Sequence, residues 1–254
     1  MGSKTVEGYA IPEDKNPMGV SPELVFPYEQ AATLVTAAAK VGNSMVKAQV
    51  ELIRKMLGNP SDVSTVLAAW QKAVSELTQS IDGSDDGNGL VTAKASLEAR
   101  WTGTSGEAAA KYLQHIIEVT PLNATIIAGM AEQINTFGAL VLKNYGTCIR
   151  YITEYAATVA RASASLMEEI KEMITLDGGS AETAIINALA DFMELTGKLT
   201  DEVIEYKKEI GGTLDTLITQ AGTVQVPSNI APDALILGGY QPRNPTGKPW
   251  GNDS

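Results

Sequence analysis

Apolar positions recur every three or four residues along most of the chain, the spacing that places side chains on one face of an α-helix. From Tyr28 the residues Ala31, Leu34, Val35, Ala38, Val41, Met45, Leu52 and Met56 share one face, and Gly58-Asn59-Pro60 stops the run, which predicts a helix over 28–57. Ser61 or Asp62 is the expected cap of a second helix, striped by Val63, Val66, Leu67, Trp70, Val74, Leu77 and Ile81. The acidic, glycine-rich run 82–89 interrupts it, and the pattern resumes at Leu90 with Ala93, Leu97 and Trp101. Gly103 then lets the backbone reverse. Thr104 and Glu107 have the spacing of a capping box, so a new helix is expected from Ser105.

Beyond that turn, Ala108, Tyr112, His115, Ile116 and Val119 lead to Pro121, where the lost N–H and the ring clash predict a kink or short break. The longest stripe follows: Met130, Ile134, Phe137, Val141, Tyr145, Cys148, Ile152, Tyr155, Val159, Ala162, Leu166, Ile170 and Met173. Its mean step falls between the roughly 3.5 residues of a left-handed coiled coil and the about 3.6 of a straight helix. A helix over 122–175 would extend about 80 Å at 1.5 Å per residue. Leu176-Asp177-Gly178-Gly179 ends it, and Ser180 is placed to cap a last helix on Ile185, Leu189, Phe192, Leu199, Val203, Tyr206, Ile210, Leu214 and Leu217, with Gly211-Gly212 as its weak point. Prolines 12, 17, 22 and 27 mark residues 1–27 as an extended leader, and the Pro/Gly-rich run 223–254 as a flexible tail. Only 223–226 and 234–237 resemble strands. The expected fold is all-α: an elongated helical bundle over 28–222, built on a long helical hairpin at about 62–175. Alanine shoulders at 37–39 and 156–157 permit close packing within or between chains.

Composition removes most chemistry. One histidine and one cysteine in 254 residues leave little with which to build a triad or a metal cluster. His115 and Cys148 would have to meet within hydrogen-bond reach to form a nucleophile pair, and satisfied positions on an apolar stripe are the simpler reading of both. The carboxylates Glu168 and Glu172, and Glu202, Glu205 and Glu209, face away from the stripe, and no Glu-x-x-His accompanies them as a di-iron bundle requires. Counting ligands from Asp82, the EF-hand pattern finds Ala93 where the bidentate glutamate belongs. No glycine run frames a phosphate. The expectation is a non-enzyme with no catalytic residues, cofactor or metal. A net charge of −11 repels nucleic acid. No cleavable signal sequence and no uncharged apolar run of membrane-spanning length is visible.

The segment Leu97-Glu98-Ala99-Arg100-Trp101-Thr102-Gly103-Thr104-Ser105-Gly106-Glu107-Ala108-Ala109-Ala110-Lys111-Tyr112 resembles the hinge of the WXG proteins secreted by type VII (ESX) systems. Trp70 lies upstream as in the family's first helix, and the larger plan is similar to PE/PPE-type helical bundles. The resemblance implies a secreted or cell-surface protein that leaves the cell folded and without a cleaved signal. It further implies action through protein–protein contacts or self-assembly, as a virulence factor in such systems, with the type VII machinery and a small WXG partner or a second copy as partners. Trp101, Gly103, Trp70 and Tyr112 are the secretion or partner motif it implies. The chain departs from the family in length and in its export tyrosines: Tyr145, Tyr151, Tyr155 and Tyr206 lack an acidic residue four positions on, and only Tyr9 with Glu13 has that spacing. Two other readings compete: a component of an α-helical pore-forming toxin, which would contact membranes, and the export domain of a larger effector.

Overall fold

The computed structural model describes residues 4–6, 9–83, 89–172 and 179–223. These form an all-α bundle with a minimal strand pair: β1 (Lys4–Val6), β2 (Tyr9–Ile11), a 3-10 turn (Pro22–Leu24), α1 (Tyr28–Lys40), α2 (Met45–Met56), α3 (Pro60–Asp82), α4 (Leu90–Arg100), α5 (Thr104–Glu172) and α6 (Gly179–Thr223). Residues 84–88 of the acidic loop, Met173, the stop at 176–178, the strand candidates 224–226 and 234–237 and the rest of the tail lie outside the described residues, as do the side chains of Leu166 and Ile170. The chain divides into two compact units, Met1–Leu67 with Glu132–Leu214, and Ala68–Ala131 with Asp215–Ser254.

In the first unit the expected 28–57 helix is two helices. The apolar stripe runs across residues 41–44, but the backbone does not. Gly42 takes φ +73°, Asn43 N–H donates to the Ala38 carbonyl at 2.8 Å, and Gly42 N–H donates to that of Ala39 at 3.2 Å. This is a Schellman cap, which satisfies the last free carbonyls of α1. The Asn43 carboxamide oxygen then accepts from Met45 N–H at 3.1 Å and opens α2.

The leader is not simply extended. β1 and β2 pair antiparallel with Val6 opposite Tyr9, and the alternation of β2 buries Tyr9 and Ile11 while Ala10 stays exposed. Three-residue strands are too short to show period two in the sequence. Tyr9, Ile11, Phe26 and Tyr28 join α1 (Leu34, Val35), α2 (Val46, Val50, Ile53), α5 (Tyr145, Cys148, Ile152, Val159) and α6 (Leu189, Phe192) in one apolar core. Polar ties cross it. Asn144 is 1% exposed, and its amide donates to the Leu199 carbonyl at 3.2 Å and to Glu202 Oε2 at 3.0 Å. Gln49 Nε2 donates to Thr200 Oγ1 at 3.3 Å.

Two other expected boundaries move. The cap of α3 is Asn59, whose side-chain oxygen accepts from Ser61 N–H at 3.2 Å, with Pro60 at the first helical position. Helix α5 passes through Pro121 without a break, so the expected 122–175 helix is one with the segment before it. The neighbouring Thr120 hydroxyl donates to the Ile116 carbonyl at 2.8 Å, one residue before the Ile117 carbonyl from which the proline withholds its N–H. Gly211 and Gly212 likewise sit inside a continuous α6.

The second unit is less filled. Of α3 only Ile81 is buried, and of α4 no residue is. Leu67 at the edge of the first unit and Trp70, Val74 and Leu77 in the second are half-buried. The buried residues contributed by the α5 segment are mostly small: Ser105, Ala109, Ala110, Ala124, Ile126 and Ala131. Leu217 packs its methyl groups against the Cα face of Gly129.

Candidate functional site

Helix α4 ends because Trp101 leaves helical space at φ −127°, while its N–H still donates to the Leu97 carbonyl at 2.8 Å. Thr102 follows, and Gly103 turns the chain at φ +92°, a conformation that a side chain would strain. Helix α5 then starts at Thr104, one residue ahead of expectation, because Glu107 N–H donates to the Gly103 carbonyl at 3.0 Å. Gly103 is therefore the N-cap. Thr104 already lies inside the helix, so the Thr104–Glu107 box is out of register and does not cap it.

Gly106 fixes the closeness of the turn. A Cβ there would collide with the Trp101 carbonyl oxygen and lie 2.9 Å from its carbon. Trp101 is thus held against the first turn of α5 yet remains 39% exposed. Beside it the last turns of α4 and the first turns of α5 flank an open cleft of about 480 Å³, lined by Trp101, Gly103 and Gly106 with Lys94, Glu98, Lys111 and others. Lys94 and Glu98 pair within α4 at 2.8 Å. An exposed pair of this kind adds little stability.

The structure brings Trp101 and Gly103 together but does not bring Trp70 or Tyr112 to this cleft; both are half-buried on α3 and α5. Gly106 was not singled out by sequence reasoning as the residue seating Trp101, although a glycine at the start of a helix is the available signal. Tyr9, the one tyrosine with export-motif spacing, is 2% exposed in the core of the first unit. Burial raises its phenol pKa, with the Glu51 carboxylate adding to the effect.

Chemically the described residues offer little beyond contact. No group of three or more His, Cys, Asp and Glu among them is arranged to hold a metal ion. His115 and Cys148 sit on one uninterrupted helix, kept apart by its intervening turns. Cys148 is fully buried and burial pushes its thiol up to about 12. In the native chain at pH 8 the thiol should therefore react with a disulfide reagent at least about a hundredfold more slowly than in denaturant, followed as absorbance of the released thiolate. The sign for stability follows from the same shift. Above the ordinary thiol value of 9.0 only the unfolded chain ionises, so this group removes stability as pH rises towards about 12.

Within Thr104–Ala164 of α5 an 18-residue stretch is long and apolar enough to cross a membrane, with 11% of it buried. The stretch is apolar on average and not an uncharged run, so the absence of an uncharged run of that length stands. Length and composition do not distinguish a bilayer from a protein surface as its cover. No protein-family model matches this chain, and no curated protein and no solved structure matches it either.

Proposed function

We propose that this chain is a non-catalytic helical protein exported by a type VII (ESX-like) system, acting through protein–protein contacts, with the Trp101–Gly103 turn as its recognition element. The observation that carries the reading is a tryptophan 39% exposed at a glycine-fixed turn between two helices. A ring left two-fifths open at a turn beside a cleft is available to a partner, and exposed aromatic anchors are what interfaces use. The stripes of α3 and α4 support the same conclusion, because apolar faces on which Ile81 is buried but Leu67, Trp70, Val74, Leu77 and Leu97 are only half-buried gain from a partner.

Secretion of a tagged copy tests this directly. In a host carrying a type VII system the chain is expected in the medium, and deletion of the system's ATPase should abolish its appearance while leaving the cellular pool intact. Export unaffected by that deletion overturns the proposal. The apolar stretch of α5 favours a second reading, a pore-forming component. Dye release from liposomes by the purified chain would support that reading against the first.

A further inference from the structure

We propose that a groove between α2 and α6 of the first unit receives an acidic amphipathic helix from a partner protein, independently of the Trp101 turn. The groove measures about 280 Å³, and its lining is Leu52, Lys55, Met56, Phe137, Thr200, Val203, Ile204 and Lys207. Its floor is apolar and fixed. Val203 is 8% exposed, and Phe137 stacks on Tyr206 with ring centroids 6.3 Å apart. Its lips are apolar and open, for Leu52 and Ile204 are 42% and 40% exposed on facing helices. Below α2 the Gln49–Thr200 hydrogen bond ties the two walls together, so the groove is a preformed trough.

Charge selects the occupant. Among the described residues no carboxylate lines the groove, although the chain carries 30 acidic residues against 19 basic ones. Its two charged groups are both lysines, one on each wall, and neither is ion-paired among the described residues. An amphipathic helix laying a ridge of aliphatic side chains into the trough, with Asp or Glu flanking the ridge on both sides, satisfies the floor and both lips. A single-headed acyl lipid would pair one ammonium and leave the other unmatched. A two-fold dimer through the groove would place the same lysines face to face, since an isologous interface repeats each charge across its axis. The volume accommodates a few aliphatic side chains and lies at the lower edge of the roughly 300–1,000 Å³ of small-ligand pockets.

The test uses the full chain and a fluorescent synthetic peptide of about 14 residues, four helical turns, with leucines on one stripe and glutamates flanking it. A second peptide carries lysines in place of the glutamates. Fluorescence anisotropy should show the glutamate peptide binding about tenfold more tightly than the lysine peptide, with the preference shrinking as salt rises. The double variant Lys55→Glu/Lys207→Glu, altered only at surface positions and checked for unchanged helix content by circular dichroism, should reverse the preference. Trp101→Ala should leave it unchanged, which separates this surface from the export reading. Equal binding of the two peptides overturns the proposal, as does a preference that survives the double variant. So does dimerisation that the double variant abolishes, or binding to phosphatidylglycerol vesicles that depends on the same lysines in place of peptide binding.

Discussion

Replacing Trp101 with alanine is expected to lower export of the full chain at least about tenfold while leaving its helix content unchanged. The physical reason is the division of the indole surface. Truncating a fully buried tryptophan costs about 3–5 kcal/mol. A ring 39% exposed, at the end of a helix that buries no residue of its own, forfeits less, about 1–2 kcal/mol of apolar burial. That loss is too small to unfold a chain of this size. The recognition surface, by contrast, loses the only large aromatic that lines the cleft among the described residues. Gly106→Ala should reproduce the defect with the tryptophan retained, because the added methyl must displace the Trp101 carbonyl and lies 3.4 Å from the indole Cγ. The measurements are the ratio of tagged chain in medium to cells and a circular dichroism melt. Proportional losses in export and in helix content would identify Trp101 as core and remove the recognition role.

The contrast between the units explains what the sequence conveyed. The stripe of α5 through Tyr145, Cys148, Ile152 and Val159, and that of α6 through Ile185, Leu189 and Phe192, became core because a sustained helical period leaves one apolar face and folding must cover it. Periodicity says which face is apolar. It does not say whether a neighbour covers it, and so the stripe of α3 looked equivalent although only Ile81 on it is buried.

Boundaries failed for a related reason. The side-chain pattern of 28–57 stays in phase across residues 41–44, where the two hydrogen bonds of the Schellman cap end the helix. The clue was Gly42-Asn43-Ser44, a left-handed glycine followed by capping residues, outweighed by the stripe around it. At Pro121 the opposite occurred, with a strong local breaker overridden by a long helix that continues on both sides. Of the candidate site, the Trp101–Gly103 turn was legible because Trp and Gly have distinct local jobs. The seat made by Gly106 and the lysine-lipped groove were not. The groove joins α2 to α6, and no local pattern announces a meeting of residues so far apart in the chain.

Phe192→Ala should have the largest effect on stability and the opposite profile to the tryptophan variant. Phe192 is fully buried, edge-on to Tyr155 with centroids 6.1 Å apart, in the same core as Ile152 and Leu189. Deleting the ring leaves a cavity between two long helices whose backbones cannot collapse without disturbing their other contacts, so a cost of about 3–5 kcal/mol is expected. A domain is stable by only about 5–15 kcal/mol. At about 2–4 °C per kcal/mol for chains of 150–250 residues, the melting midpoint of the first unit should fall by roughly 6–20 °C. A drop of under about 3 °C would mean that the core around α6 is not packed as described. Because the proposed export route takes folded substrate, Phe192→Ala should reduce export only as far as it reduces the folded fraction. At a temperature where the variant remains folded, its export should approach the unsubstituted level, whereas that of Trp101→Ala should stay low. If both variants recovered on cooling, foldedness alone would be what the export machinery requires, and the turn would be no more than a hinge.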